Sequence, residues 1–385
     1  MSAASPISFE VRALDDGARL GRLVTPHGEI TTPAFMPVGT RAAVKAMAPD
    51  ELSSMGYRLI LANAYHLAVR PGAELVQELG GVARFMGFKG AVLTDSGGFQ
   101  AMSLAKINSI SEEGVRFRSH LDGAPLMLTP ESAIEIQQKL GADVMMALDE
   151  CTPFPADHRR ARASLELTAR WAERCVRART NNTQALFGIV QGGIYPDLRR
   201  LSAGQISALD CDGFATGGLS VGEPREAMRE MAALTASLLP AGKVRYLMGV
   251  GTPEDLLAAI PMGYDLFDCV LPTRNARNGG AFTSEGRLSI KRATYARDER
   301  PLDPRCDCRP CTTFSRAYLR HLHISGEILA ARALSEHNLY FYSHLMREAQ
   351  AAIASRTYRA FAAHTLNLLG RGAEGSGPGA GGAGD

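Results

Sequence analysis

The sequence predicts an α/β protein: a (β/α)8 barrel of the TIM class, with an N-terminal antiparallel cap and a subdomain inserted late in the chain. Three observations carry this. First, eight short apolar runs recur, at residues 33–39, 58–64, 91–97, 143–149, 185–193, 213–222, 244–251 and 264–270. They are nearly continuous rather than alternating, which suits parallel strands buried on both faces. Second, the intervening segments, such as 130–140, 157–179 and 224–239, have helical periodicity and few breakers. Pro130 and Pro224 stand where the first turn of a helix accepts proline. Third, polar residues end nearly every run. A barrel gathers all such ends at one rim, whereas an open doubly wound sheet uses them at a single switch point.

The elements follow in order. Residues 1–32 form the cap: short strands from Ile7 to Thr32, punctuated by Asp15-Asp16-Gly17 and Pro26-His27-Gly28, both turn signals. Residues 33–274 are the barrel. Residues 275–338 interrupt the repeat and hold the inserted subdomain. Residues 339–369 are a helical region that closes the barrel. Residues 370–385 are rich in glycine, lack apolar bulk and are expected to be disordered.

Composition excludes several classes. The chain has 385 residues, 45% hydrophobic and 21% charged, with a net charge of +2, which is the profile of a globular protein. No apolar run reaches the roughly 18 residues of a membrane helix. Met1 to Glu10 lacks the pattern of a secretory signal, so a cytoplasmic protein is expected. The seven cysteines are odd in number and uneven in spacing, a poor disulfide framework. Charge is uneven too. Arg274 to Arg320 holds eleven basic and five acidic residues, a local +6. Such a stretch is either a solvated surface or a phosphate footprint.

Cys306-x-Cys308-x2-Cys311, with His337 after 25 intervening residues, has metal-ligand spacing. Three thiolates and one imidazole fill a tetrahedron around Zn²⁺ and leave no open position, so the expected site is structural. Arg305 and Arg309 can stabilise the thiolates. His321 and His323 compete with His337 for the fourth position.

Three carboxylates sit at strand ends: Asp95 in Asp95-Ser96-Gly97-Gly98-Phe99-Gln100, Asp149 in Ala147-Leu148-Asp149-Glu150, and Asp268 in the run from Phe267 to Arg274. On a barrel all three meet at one mouth. One can be a nucleophile and another a general acid/base, as in cleavage of glycosidic bonds with retention. The plainer alternative for any one of them is capping of the next helix. Glycine pairs at Gly97-Gly98, Gly192-Gly193 and Gly217-Gly218 allow backbone to approach a planar heterocycle or a phosphate, or are simple turns. Phe99 and Met248 lie beside these loops and can sandwich an aromatic base or pack in the core. No dinucleotide or P-loop fingerprint is present.

Together these motifs resemble the bacterial tRNA-guanine transglycosylases, from about Ile7 to Leu369. The resemblance rests on Asp95 to Gln100, Gly188-Ile189-Val190-Gln191-Gly192-Gly193, Gly217-Gly218-Leu219-Ser220-Val221-Gly222-Glu223, Phe267 to Arg277 and the Cys/Cys/Cys/His set. It implies exchange of guanine at wobble position 34 of GUN-anticodon tRNAs for 7-aminomethyl-7-deazaguanine, a step of queuosine biosynthesis. It implies Asp268 as nucleophile and Asp95 as general acid/base. Ser96, Phe99, Asp149, Gln191, Gly218, Leu219 and Met248 would contact the base. Gly249, Gly251, Thr252, Asp255, Thr273, Arg274 and Arg277 would contact the tRNA anticodon stem-loop. Val221 and Cys151 match the bacterial pattern that takes the aminomethyl base. One structural zinc per subunit, held by Cys306, Cys308, Cys311 and His337, and a homodimer are implied as well; no ATP or redox cofactor is needed. Two other readings compete: a zinc-bearing RNA-binding module without activity, and a retaining glycoside hydrolase. The latter usually displays several tryptophans, and this chain has only Trp171.

Overall fold

Strands form where the apolar runs lie. The computed structural model describes residues 5–99 and 109–371. The chain opens with an antiparallel sheet of β1 (Ser8–Asp15), β2 (Ala18–Thr25) and β3 (Gly28–Thr32). Asp16 and Gly17, both at positive φ, make the tight first turn. Ile7, Leu23 and Ile30 pack with the leading residues of the barrel strands, among them Leu59, Ala91, Val144, Ala185, Val244 and Leu266. The cap therefore plugs the N-terminal end of the barrel.

The barrel strands are β4 (Ala34–Gly39), β5 (Leu59–Asn63), β6 (Ala91–Asp95), β10 (Val144–Met146), β11 (Ala185–Val190), β12 (Gly213–Thr216), β13 (Val244–Leu247) and β14 (Leu266–Cys269). One falls within each of the eight runs. All pair in parallel, and β14 closes on β4 with Leu266 beside Ala34 and Asp268 beside Met36. Every C-terminal strand end thus opens on one rim.

The helices follow their local signals. Pro130–Leu140 starts with a Thr129/Ser132 capping box and stops at Gly141 in the left-handed conformation. His158–Ala178 is capped by Asp157. Arg225–Leu238 has Pro224 as its N-cap, one position earlier than the first turn expected. A second antiparallel sheet, β7 (Ser109–Ile110), β8 (Val115–Arg118) and β9 (Pro125–Leu128), lies between β6 and the helix Pro130–Leu140 and was not expected. Its one sequence signal is brief: buried Val115 and Phe117 alternate with exposed Arg116 and Arg118.

After β14 come the helix Leu271–Arg277, a hairpin of β15 (Gly280–Thr283) and β16 (Gly286–Ser289), and the short helices of the cysteine-bearing segment. The helix Ile328–Ala354 runs unbroken through residues 338 and 339. The division expected there falls inside one helix, because its buried positions continue from Ala330 and His337 to Ala349 and Ile353. The helix Tyr358–Arg371 includes Gly370. Of the regions singled out in the sequence, residues 1–4, Gln100 and residues 372–385 lie outside the described residues. Among the described residues, no helix is long and apolar enough to cross a membrane.

Candidate active site and metal centre

Asp95 is the last residue of β6, and its carboxylate is held by neutral donors. Asn63 Nδ2, at the end of β5, donates to Oδ2 at 2.6 Å. The amides of Ala64 and Gly97 donate to Oδ1 at 3.0 and 3.2 Å. Burial pushes the carboxyl up to about 7, and the charge of Asp268 adds to the rise. Asp268 comes from β14. Its Oδ1 accepts from the Tyr246 hydroxyl at 2.5 Å and the Gly249 amide at 2.8 Å. Its other oxygen has no hydrogen-bond partner among the described residues. Burial raises this carboxyl too. Tyr246 feels both carboxylates, and burial followed by the Asp268 charge raises its hydroxyl far above the usual range, which keeps it a donor.

Capping of the following helix does not explain Asp268 or Asp149. The helix after Asp268 has Val270 as N-cap, and the helix after Asp149 is capped by Asp157. Asp149, three residues beyond β10, accepts from Gln191 Nε2 at 2.6 Å. Burial lifts it to about 6, with a smaller push from Glu150. A Cβ added at Gly217 would lie 2.7 Å from Gln191 Nε2 and 3.6 Å from Asp149 Oδ2; one added at Gly218 would lie 2.1 Å from Gln191 Oε1. Gly218 is also at φ +63. Glycine is required at both positions, and Asp149, Gln191, Gly217 and Gly218 form one polar strip. Cys151 lies against the Gly218 amide, its thiol pushed by burial to about 12.

The remaining expected residues divide into two groups. Ser96 is buried and accepts from the Gly98 amide at 3.3 Å. A Cβ at Gly98 would sit 3.1 Å from the Asp149 carbonyl, so the Asp95 and Asp149 loops touch. Phe99 is 52% exposed and thus not a core residue, Met248 is half-buried, and Leu219 is buried. Arg274 and Arg277 are exposed on the helix that follows Asp268 and make no ion pair among the described residues. Burial, then the neighbouring Arg274 charge, lowers the Arg277 guanidinium. The other expected positions also make contacts within the fold. Gly251 packs on Cys269, and its carbonyl accepts from Tyr342. Thr252 caps the helix Pro253–Ala259. Asp255 binds Arg225 and Arg229. Thr273 is buried.

Sequence reasoning missed four residues of this site. Asn63 obeys the same strand-end rule as the aspartates and was legible; its Oδ1 also caps the next helix by accepting from the His66 amide at 2.9 Å. Tyr246 lies inside a strand and Arg199 and Ser202 inside a helix, with no local signal. Ser202 Oγ accepts from the Gln191 amide at 3.0 Å.

The metal centre lies in the insert. The ligand atoms of Cys306, Cys308, Cys311 and His337 are within 4.8 Å of one another. The three sulfurs stand 3.7, 3.4 and 3.3 Å from His337 Nδ1. Tetrahedral Zn²⁺ bond lengths require an S···N separation of about 3.5 Å. His337 is fully buried, and its Nε2 lies 2.8 Å from the Phe282 carbonyl. That bond puts the proton on Nε2 and leaves Nδ1 to bind metal. His321 is exposed and His323 packs on Gly279, so neither joins the cluster. This set could hold a metal ion.

A pair of half-buried carboxylates at a barrel rim, one with an unpartnered oxygen and one shifted to neutral pH, defines a class: enzymes that act at a glycosidic carbon. Residues 15–370 match the family model described as Queuine tRNA-ribosyltransferase. A relative with that name from Desulforamulus reducens is 53% identical over 347 residues, which is 90% of this chain and 94% of the relative. One from Symbiobacterium thermophilum is 56% identical over 342 residues, 89% and 86% of the two chains. One from Shouchella clausii is 52% identical over 357 residues, 92% and 93%. The chain belongs to the queuine tRNA-ribosyltransferase family.

Proposed function

We propose that the protein is a tRNA-guanine transglycosylase that replaces guanine at wobble position 34 of GUN-anticodon tRNAs with 7-aminomethyl-7-deazaguanine. The observation that carries this reading is the pairing of Asp95 and Asp268, two half-buried carboxylates close enough for one to raise the other. The unpartnered oxygen of Asp268 attacks C1′ of the ribose. The C1′–N bond breaks, its electron pair leaves with guanine, and a covalent enzyme–RNA ester forms. Asp95, near 7, gives the proton that the departing base needs. The incoming base loses its ring N–H proton to Asp95 and attacks C1′, which releases Asp268. Two displacements retain the configuration. The nucleotide enters flipped out of its stack.

Asp149 accepts from the guanidine-like edge of the base, Gln191 and the Gly218 amide donate to its exocyclic oxygen, and Phe99 and Met248 cover its faces. The Leu219 carbonyl meets the aminomethyl group, and Val221 with Cys151 supports that base. The exposed Arg274 and Arg277, with Gly249, meet the anticodon loop, so binding weakens with salt. The Cys306/Cys308/Cys311/His337 cluster takes one structural Zn²⁺. Dialysis against a strong chelator is expected to melt the insert, read as loss of about one zinc per chain together with a lowered Tm. Two copies pair in a cytoplasmic homodimer; exposed Tyr318, Ile324, Ile328 and Leu329 on consecutive helices support this. Sedimentation checks it.

The glycoside-hydrolase reading loses its platform: Trp171 is fully buried and donates to the Glu112 carbonyl. The decisive experiment is mass spectrometry of wobble nucleosides after incubation with tRNA and 7-aminomethyl-7-deazaguanine. Unchanged guanosine at position 34 would overturn the proposal.

A further inference from the structure

Arg199 lies in the first turns of the helix Pro196–Ser207 and is fully buried. A buried guanidinium is normally matched by a carboxylate. Among the described residues Arg199 has no such ion pair. Its partners are backbone carbonyls: Nε donates to Gly193 O at 2.9 Å, Nη1 to Val190 O at 3.1 Å and Gly217 O at 2.9 Å, and Nη2 to Gly218 O at 3.4 Å. Two of these carbonyls flank Gln191. The other two belong to the glycine pair packed on Gln191 and Asp149.

The geometry has a directional consequence. In a trans peptide the carbonyl of one residue and the amide of the next point opposite ways. With the Gly217 carbonyl held on Arg199, the Gly218 amide must face the other side, where Cys151 and the polar strip lie. One helical turn on, Ser202 Oγ holds the Gln191 amide. Gly192, at φ +137, lets the loop seat on the helix start: a Cβ there would lie 2.8 Å from the Arg199 amide. Only a planar fork of donors reaches four carbonyls from two loops; a lysine offers one point, and an apolar side chain removes the donor from all four, although Val190 O keeps the Gly217 amide at 3.0 Å.

We propose that Arg199, assisted by Ser202, is a positioning residue that locks the loops after β11 and β12 into the orientation that reads the nucleobase. It touches neither base nor ribose and sets base affinity and selectivity through Gln191 and Gly218. This rests on the transglycosylase reading given above.

The test measures KM for the base and KM for tRNA separately, together with kcat, in Arg199→Lys and Ser202→Ala. Equilibrium binding of guanine to the resting protein accompanies it. Arg199→Lys is expected to raise base KM and guanine Kd at least about tenfold, as for the loss of charged hydrogen bonds, with tRNA KM unchanged. Ser202→Ala is expected to shift the same two constants by about three- to tenfold. In Arg199→Ala, guanidinium ion at non-denaturing concentration is expected to recover base affinity where sodium ion does not. Base KM and guanine Kd unchanged in both variants, with only Tm lowered, would assign Arg199 to stability and overturn the proposal. Where Arg199→Lys does not fold, Ser202→Ala decides by the same criterion. Wild-type exchange with normal base KM in the variants overturns this inference alone; absence of both exchange and guanine binding in wild type overturns the underlying reading as well.

Discussion

At the floor of the barrel, Asp143, Asp212 and Asp265 each precede a strand and accept an amide of the neighbouring strand, from Val92, Leu186 and Arg245. Each also has a basic partner: His27 at 2.8 Å, Arg179 at 2.5 Å and Arg19 at 3.2 Å. At the rim, Asp95 and Asp268 stand at the ends of their strands and Asp149 just beyond its own, and among the described residues they are met only by neutral donors. The shift in acidity alone does not separate the two ends. Burial raises Asp265 to about 7, as it does Asp95, even though Arg19 pulls it down. The partners make the difference. A basic side chain beside a buried acid is spent on fixing the structure, cap to barrel at Arg19 and His27, and helix to strand end at Arg179. Neutral donors, and a second carboxylate nearby, leave the charge available to a reacting centre.

This contrast can be broken by substitution. The largest effect is expected for Asp268→Asn at the rim: exchange of labelled guanine into tRNA falls by about 10³-fold or more, and no denaturant-resistant protein–RNA adduct forms, while the fold persists. Substantial residual exchange would remove Asp268 from the nucleophile's role. At the floor the order reverses. Arg19→Met leaves Asp265 buried without its cation, so chemical denaturation should show a loss of about 3–5 kcal/mol, with kcat/KM per folded molecule unchanged. A catalytic defect as large as that of Asp268→Asn would erase the distinction between the ends. Asp95→Asn should lower kcat by about 10²-fold and flatten its dependence on pH around neutrality.

The smallest effect sharpens the contrast through pH. Asp149 and Asp95 are raised in the folded state, to about 6 and about 7. For such acids the unfolded chain releases its protons first. Their burial costs stability above the upper value, and that cost fades as pH falls toward the ordinary aspartate range. Function runs the other way, because Asp149 must be ionised to accept from the base. Below about pH 6, base KM should rise about tenfold per pH unit. Titration of KM and Tm on one sample should show base affinity falling while Tm rises as pH goes from 8 to 5. Parallel loss of both would mean that neither acid is held up by burial.

Much of the molecule is written in local order. The eight apolar runs, the Asp157 and Thr129 caps, the turn at Asp16-Gly17 and the cysteine triad all depend on neighbours within a few residues. Backbone periodicity and donor spacing act at that range, so the strands, their rim and three of the four metal ligands could be read from the chain alone. Other features needed distant segments to meet. His337 wins over His321 and His323 because the Phe282 carbonyl, 55 residues away, orients its ring. Tyr246 becomes part of the site only when β13 lies beside β14. Arg199 looks like any helix arginine until two loops turn their carbonyls onto it. The floor and rim aspartates belong to the same residue type in similar apolar surroundings, and only closure of the barrel and docking of the cap decide which meet a basic side chain. Their roles follow from electrostatics across space, which falls with distance through the folded molecule and not with separation along the chain.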